Sequence, residues 1–421
     1  MNIKSILLGA SAAALAATGA QAADLPVAPE PVDYVRVCDA FGTGFFYIPG
    51  TETCLKIGGG VRVEFRFNDV LQDGGSAWDA RTDESTRIRA RGYLNFDSRT
   101  NTEYGLLRTY VAAWSTTDNA GGSDFYLDEA FIQLGGFVAG RTATYFQFYT
   151  GNNWGAVLDQ GFADYGETNL FAYTAQFGNG FSASASVEVA NKRGQIFYNG
   201  AQLATPASPT ALQANIDGYG GHKIPDFVAN LRVDQGWGSA QIMGALHHVY
   251  GRSLAATTLA NGVAIGAGVP GKGKLGWAIG AGATFNLPMI APGDNISLQA
   301  TYSQGAIGYV NSAWDGVGGF SDASYNAVGG LKLSSAWGIG GGFTHFWTPA
   351  ISSSLTASYT SLDQAVGGAD IRDLNVQGNL VWRPVSGLQV GAELEYLNRN
   401  SNVVGGDADT LVGIFRVQRT F

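Results

Sequence analysis

Three arginines spaced two residues apart, Arg87, Arg89 and Arg91, are the most chemically pointed feature of this chain. Guanidinium groups stay protonated and do no acid–base work. Grouped together, they attract anions and shape the local field. Other reactive side chains are sparse. The four histidines, His222, His247, His248 and His345, show neither ligand spacing nor an evident partner, so no metal or catalytic role is expected of them. Two cysteines, Cys38 and Cys54, bound a short segment. We read them as a disulfide staple worth about 3 kcal/mol in the chain-entropy picture. The alternative is a metal or redox pair, and it lacks nearby His partners and a Cys-x-x-Cys spacing. Glycine runs such as the one at 338–342 have no following helix and no Lys-Ser/Thr, so they read as close strand packing or bends rather than phosphate loops.

An element must hold the arginines. In the stretch 86–97, Ile88, Ala90, Leu94 and Phe96 share one face, while Arg87, Arg89, Arg91, Tyr93, Asn95 and Asp97 share the other. A period of two is a β-strand. Its charged face must meet water. In a soluble sandwich that water is outside. In a membrane barrel the apolar side meets lipid and the polar side lines a lumen.

Composition narrows the choice. The chain has 421 residues, 60 of them Gly and only 14% charged, against about 25% charged in an ordinary soluble protein. Its net charge of −9, with no basic block, argues against a nucleic-acid binder. Residues 1–22 read as a signal peptide: Lys4, an apolar run at 6–17, then Ala20-Gln21-Ala22 at a cleavage position. Beyond them no stretch approaches the roughly 20 apolar residues of a membrane helix. Residues 23–54 form a Pro-rich lead-in with the cysteine loop, and 55–421 carry the strands.

Alternation recurs at 55–67, 86–97, 102–115, 125–134, 136–142, 169–177, 180–190, 226–235, 238–249, 274–287, 294–304, 336–347, 351–361, 371–383, 387–398 and 410–421, which is 16 strands. A turn is expected at 97–101, and the strand-like 325–334 is assigned to a long loop. Short turns such as 178–180, 235–237, 348–350 and 383–386 alternate with long connections at 68–84, 143–168, 191–225, 250–273, 305–335 and 399–409. That two-ended asymmetry fits an outer-membrane barrel. A lipid-facing Arg near the midplane costs about 2–4 kcal/mol, so three would cost roughly 6–12 kcal/mol. The arginines therefore point inward, and the expected fold is an all-β, 16-stranded antiparallel transmembrane barrel wide enough for an aqueous channel. The last strand ends in Phe421, an aromatic like the assembly signal of outer-membrane proteins, although Arg419 interrupts its apolar face.

The segment Pro29-Glu30-Pro31-Val32-Asp33-Tyr34-Val35-Arg36-Val37-Cys38-Asp39-Ala40-Phe41-Gly42, with Phe46-Tyr47-Ile48-Pro49-Gly50-Thr51-Glu52-Thr53-Cys54-Leu55-Lys56-Ile57-Gly58-Gly59, resembles the opening of the alphaproteobacterial general porins of rhizobial and Brucella type. The close, Phe415-Arg416-Val417-Gln418-Arg419-Thr420-Phe421, is similar to that family's close. The resemblance implies a 16-stranded barrel, usually trimeric, that passes small hydrophilic solutes and folds its third long loop inward as a constriction.

On the strand count that loop is 143–168, with Asp159, Asp164 and Glu167 among Tyr145, Phe146, Tyr149, Trp154 and Tyr165. The lumen face of the first three strands supplies Arg62, Arg66, Arg87, Arg89, Arg91 and Arg108. An acidic loop facing a basic wall would set a transverse field across a narrow wet gap. The duller reading is that these arginines only brace and solvate the wall. The expected function is passive diffusion of small hydrophilic solutes and ions through the cell outer membrane, with no catalytic residues, metal or cofactor. Expected partners are membrane lipid, the solutes, a homotrimer and the outer-membrane assembly machinery. The rival readings are a surface adhesin or receptor barrel and a barrel hydrolase, which would need a converging Ser/His or Asp/His group.

Overall fold

The structure is a computed structural model describing residues 36–67, 85–118, 124–154, 166–190, 196–198, 220–251, 257–258, 264–265, 271, 273–314, 320–325, 330–365, 370–402 and 407–421. The signal-peptide reading and Asp159, Asp164 and Tyr165 lie outside these residues.

Each stretch of alternating residues becomes a strand. In chain order these are β1 (Cys54–Phe67), β2 (Thr86–Thr102), β3 (Gly105–Thr117), β4 (Asp124–Leu134), β5 (Phe137–Ala143), β6 (Glu167–Gly178), β7 (Phe181–Glu188) and β8 (Asp226–Gln235). They continue as β9 (Gly238–Tyr250), β10 (Gly273–Asn286), β11 (Asn295–Gln304), β12 (Ser335–Thr348), β13 (Ile351–Asp363), β14 (Ile371–Val385), β15 (Leu388–Ser401) and β16 (Ala408–Thr420). Every strand pairs antiparallel with its sequence neighbour, and β16 pairs with β1 at Val61↔Arg419, Val63↔Val417 and Phe65↔Phe415. The sheet is thus a closed barrel of sixteen strands, with the two-residue strand Phe46–Tyr47 added against Cys54 and Leu55. Closure satisfies the backbone of strands that have no free edge.

The faces divide as a membrane solvent requires. Ile88, Leu94, Leu298, Ile339, Leu355 and Leu380 point outward and are exposed, whereas Glu64, Gln299, Thr356, Asn375 and Glu393 point inward and are buried. β2 is longer than the alternation suggests. It runs through 97–101, read above as a turn, to Thr102, because Asp97, Arg99 and Arg108 tie β2 to β3 there. The turn falls instead at Glu103 and Tyr104. The turn after β14 also comes later, at Ser386–Gly387, past a register shift between Trp382 and Val385. The hairpin between β6 and β7 follows its sequence: Gly178, Asn179 and Gly180 all take positive φ, which glycine and asparagine tolerate best.

Of the stretch 325–334, the described residues 325 and 330–334 lie outside the barrel sheet. Ala323–Tyr325 pairs with Leu331–Leu333 and, in parallel, with Ile196–Tyr198. Cys38 and Cys54 are disulfide-bonded, with Cα atoms 6.0 Å apart, and pack with Phe45 against the polar side of β1 and β2. There Arg99 lies 4.9 Å from the Phe45 ring centroid and Lys56 lies 5.8 Å from it.

Candidate functional site

Residues 144–154, which follow β5, run across the inner wall instead of standing above it. Thr144 and the Tyr145 amide donate to Glu188 of β7 at 2.6 and 2.9 Å. The Tyr149 amide donates to Gln299 of β11 at 2.9 Å. The Asn152 amide donates to Thr356 of β13 at 3.0 Å, its side chain to Thr344 of β12 at 2.9 Å, and its carbonyl accepts from Asn379 of β14. The Trp154 amide reaches Glu393 of β15, and its indole donates to Gln389 at 3.1 Å. Each of these backbone groups leaves water for a side-chain partner on the wall, as buried backbone requires. The wall is cut to receive the rings. A Cβ on Gly342 would collide with the Tyr149 hydroxyl, and one on Gly282 with the Phe148 ring. Of the glycine run at 338–342, Gly342 is thus a seat for this loop, while Gly341 packs closely on the neighbouring strand at Ser297 and Leu298, as the sequence reading expected.

A second segment also turns inward, and sequence reasoning placed it in an external loop. Ile307, Val310 and Trp314 are fully buried with Ala336 of β12, Leu362 of β13 and Ile371 of β14, and Tyr309 is fully buried with Val228 of β8, Met243 of β9 and Ala278 of β10. Tyr309 packs edge-on against Phe146 of the first loop, centroids 4.8 Å apart, and donates to Asp226 at 2.7 Å. His247 Nδ1 lies 2.8 Å from Asp226 and its Nε2 3.7 Å from Asp322, whose other oxygen accepts from the Ile307 amide at 2.7 Å. His345 similarly pairs with Asp294 at 2.6 Å. Both histidines thus have carboxylate partners that sequence spacing did not suggest. In each case the partner comes from another element.

The two inward segments cover the polar face of β8–β15. The polar face of β1–β4 keeps partial exposure at Arg62, Arg87, Arg89, Arg91, Tyr93 and Asn95, so the remaining open space runs along the arginine wall. Here the six arginines divide. Arg66 is buried and its Nε donates to Glu64 at 2.9 Å, while Arg62 lies 3.1 Å from the other Glu64 oxygen. Arg108 and Arg99 share Asp97. Arg91 donates to Thr116 at 2.7 Å, and its guanidinium lies 3.6 Å from the Trp114 ring centroid. Arg416, unassigned in the sequence reading, donates to Glu64 at 2.7 Å and stacks 4.7 Å from the Trp154 ring. Among the described residues it links the loop to the basic wall.

Glu167 does not sit in the loop. It opens β6, and its carbonyl accepts from Arg141, so it lies beside β5 rather than across from the arginines. Phe421 is exposed, with its amide and carbonyl bonded to Gly59 on β1. Arg419 escapes the apolar face by donating to the Ser386 carbonyl at the adjoining turn.

A closed sixteen-stranded barrel with an apolar exterior, a charged interior and an inward loop defines an outer-membrane β-barrel of the porin class. Residues 24–414 match the Porin subfamily, and the chain belongs to that family. The porin Omp2b of Brucella canis and that of Brucella suis biovar 1 are each 40% identical over 256 residues, 57% of this chain. The match spans 64% of the length of these relatives. Among solved structures, the outer membrane channel DcaP of Acinetobacter baumannii superposes with a TM-score of 0.64 at 14% identity, over 89% of this chain and 99% of the other. In-vitro folded OmpT of Vibrio cholerae, in its trimer form, superposes at 0.52 and 11% identity, over 88% of this chain and all of the other. These likenesses reinforce the fold.

Proposed function

We propose that the chain is a passive diffusion channel of the cell outer membrane for small hydrophilic solutes and ions. The observation that carries this reading is the uneven filling of the barrel. Segments 144–154, 306–314 and 320–325 cover one side of the interior, and a partly exposed wall of Arg62, Arg87, Arg89 and Arg91 remains on the other. A water-filled gap between low-dielectric walls focuses the field of such a wall, and rings of charged side chains set ion preference. The arginines thus select solutes by size and charge. Asp159 and Asp164, carried on the same loop, supply the acidic side of the gap. The 1–22 leader is removed on export, Phe421 is read by the assembly machinery, and the working form is a homotrimer in lipid, as OmpT's trimer form and the porin family suggest.

Recording single channels from refolded protein tests this. The expected record shows ohmic steps in groups of three. Replacing Arg87, Arg89 and Arg91 together by Gln should shift the reversal potential in a salt gradient toward cations. Liposomes that stay impermeable to sugars and salts would overturn the channel. An unchanged reversal potential and conductance would overturn the selectivity role.

A further inference from the structure

Glu64 stands at the centre of a cross of arginines. Arg62 and Arg66 lie two residues to either side of it on β1, while Arg89 of β2 and Arg416 of β16 stand directly opposite it in the ladder. Arg91 faces Arg62, and Arg87 faces Arg66, in the same register. Like charges directly opposed on an antiparallel pair are destabilising. Arg66 is answered by Glu64 at close range. Arg91 has no ion pair among the described residues. Its Nε is spent on Thr116 and its flat face on Trp114, which is itself stacked on Tyr126 at 4.7 Å. Among the described residues, the six guanidiniums of this patch meet four carboxylates: Glu64, Asp118 near Arg89, Asp128, and Glu393 near Arg416. Six positive against four negative groups leave a formal excess of two positive charges among the described residues.

The repulsive Arg62–Arg91 pair borders a recess of about 360 Å³ in the inner wall, lined also by Tyr93, Asn95, Trp114 and Gln418, with Asp128 at its edge. We propose that this recess binds a small solute bearing a phosphate or carboxylate together with hydroxyl groups. This deepens the channel reading above and rests on it. An oxyanion between Arg62 and Arg91 converts the repulsion into two charge-assisted hydrogen bonds. Arg91 is held in place by the indole beneath it, so little rotamer freedom is lost on binding. The amides of Asn95 and Gln418 and the Tyr93 hydroxyl both donate and accept, which suits hydroxyls. Asp128 accepts from a hydroxyl and tempers the attraction. Binding is weak enough to release, as conduction requires.

Glucose 6-phosphate is the probe, and glucose is the comparison with the same body and no charge. In single-channel recordings in potassium chloride, glucose 6-phosphate lowers the current along a saturating curve, while glucose at equal concentration gives only a small linear decrease. Arg91→Gln raises the half-effect concentration at least tenfold, and Arg91→Lys raises it less. Because Arg91→Gln removes one member of a repulsive pair, its thermal midpoint stays at or above that of the unsubstituted protein. Calorimetry in detergent micelles gives a readout independent of conductance, with one saturable site for glucose 6-phosphate that Arg91→Gln weakens to the same degree. Equal, unsaturating responses to the two probes, or an Arg91→Gln response identical to wild type, overturn the site. Calorimetric binding in a protein that passes no potassium chloride current would sustain the recess and overturn the channel.

Discussion

Glu64 is wholly buried, yet its carboxylate is shared by Arg62, Arg66 and Arg416. Removing one member of a buried charged group leaves the others uncompensated, at a cost of about 3–5 kcal/mol. Glu64→Gln should therefore lower barrel stability by about that amount, read as the denaturant midpoint of refolded protein in micelles. A midpoint unchanged within about 0.5 kcal/mol would mean the arginines are already screened by water. Parity along β2 was enough to place Arg87, Arg89 and Arg91 on one face. The position of Glu64 among them was not legible, because alternation gives the face of a residue but not its opposite number. Arg416 was hidden for the same reason. It reaches Glu64 across 352 positions of sequence, through the closure of the barrel.

At the scale of elements, strands were legible and inward loops were not. Sixteen alternating stretches announced sixteen strands because lipid and water impose opposite preferences on successive residues. Errors fell at ends, as at Asp97–Arg108, where ion pairs carry pairing beyond the apolar pattern. The path of 144–154 depends on contacts made far away in sequence, such as Tyr149 with Gln299 and Trp154 with Gln389. The visible hints were the glycines facing its rings. Gly342→Val should push Tyr149 from its seat and release the neighbouring hydrogen bonds, roughly 1 kcal/mol each. The expected outcome is a higher single-channel conductance and faster entry of larger sugars in liposome swelling. Unchanged swelling rates would show that the loop does not narrow the path.

The other inward segment hangs on His247, between Asp226 and Asp322. His247→Ala leaves a buried carboxylate with fewer partners, costing about 1–3 kcal/mol. Amide exchange at Ile307 and Tyr309 should quicken about tenfold or more relative to β13, where one factor of ten is about 1.4 kcal/mol. Equal exchange in both regions would mean that Tyr309–Phe146 packing alone suffices to hold the segment.

For the whole molecule, the decisive boundary is the outer surface. Leu298 is exposed at mid-strand, opposite Ala283 of β10 and Gly341 of β12. Leu298→Arg should cost about 2–4 kcal/mol in lipid bilayers and much less in micelles that deform around the charge. Equal stability in both would place that surface away from acyl chains. On the outer wall of β6–β10, Phe171, Ala183, Ala185, Leu231 and Ile242 line an open apolar groove of about 1040 Å³.

The pairing of β16 with β1 has a temporal consequence. Val61 cannot find Arg419, nor Gly59 find Phe421, until the final residues have been delivered. Until then the growing sheet carries two sticky flanks, and hydrocarbon offers their amides no substitute partner. A chain wired this way cannot settle into its membrane one hairpin at a time as it is synthesised. Its last strand is the one that seals the ring.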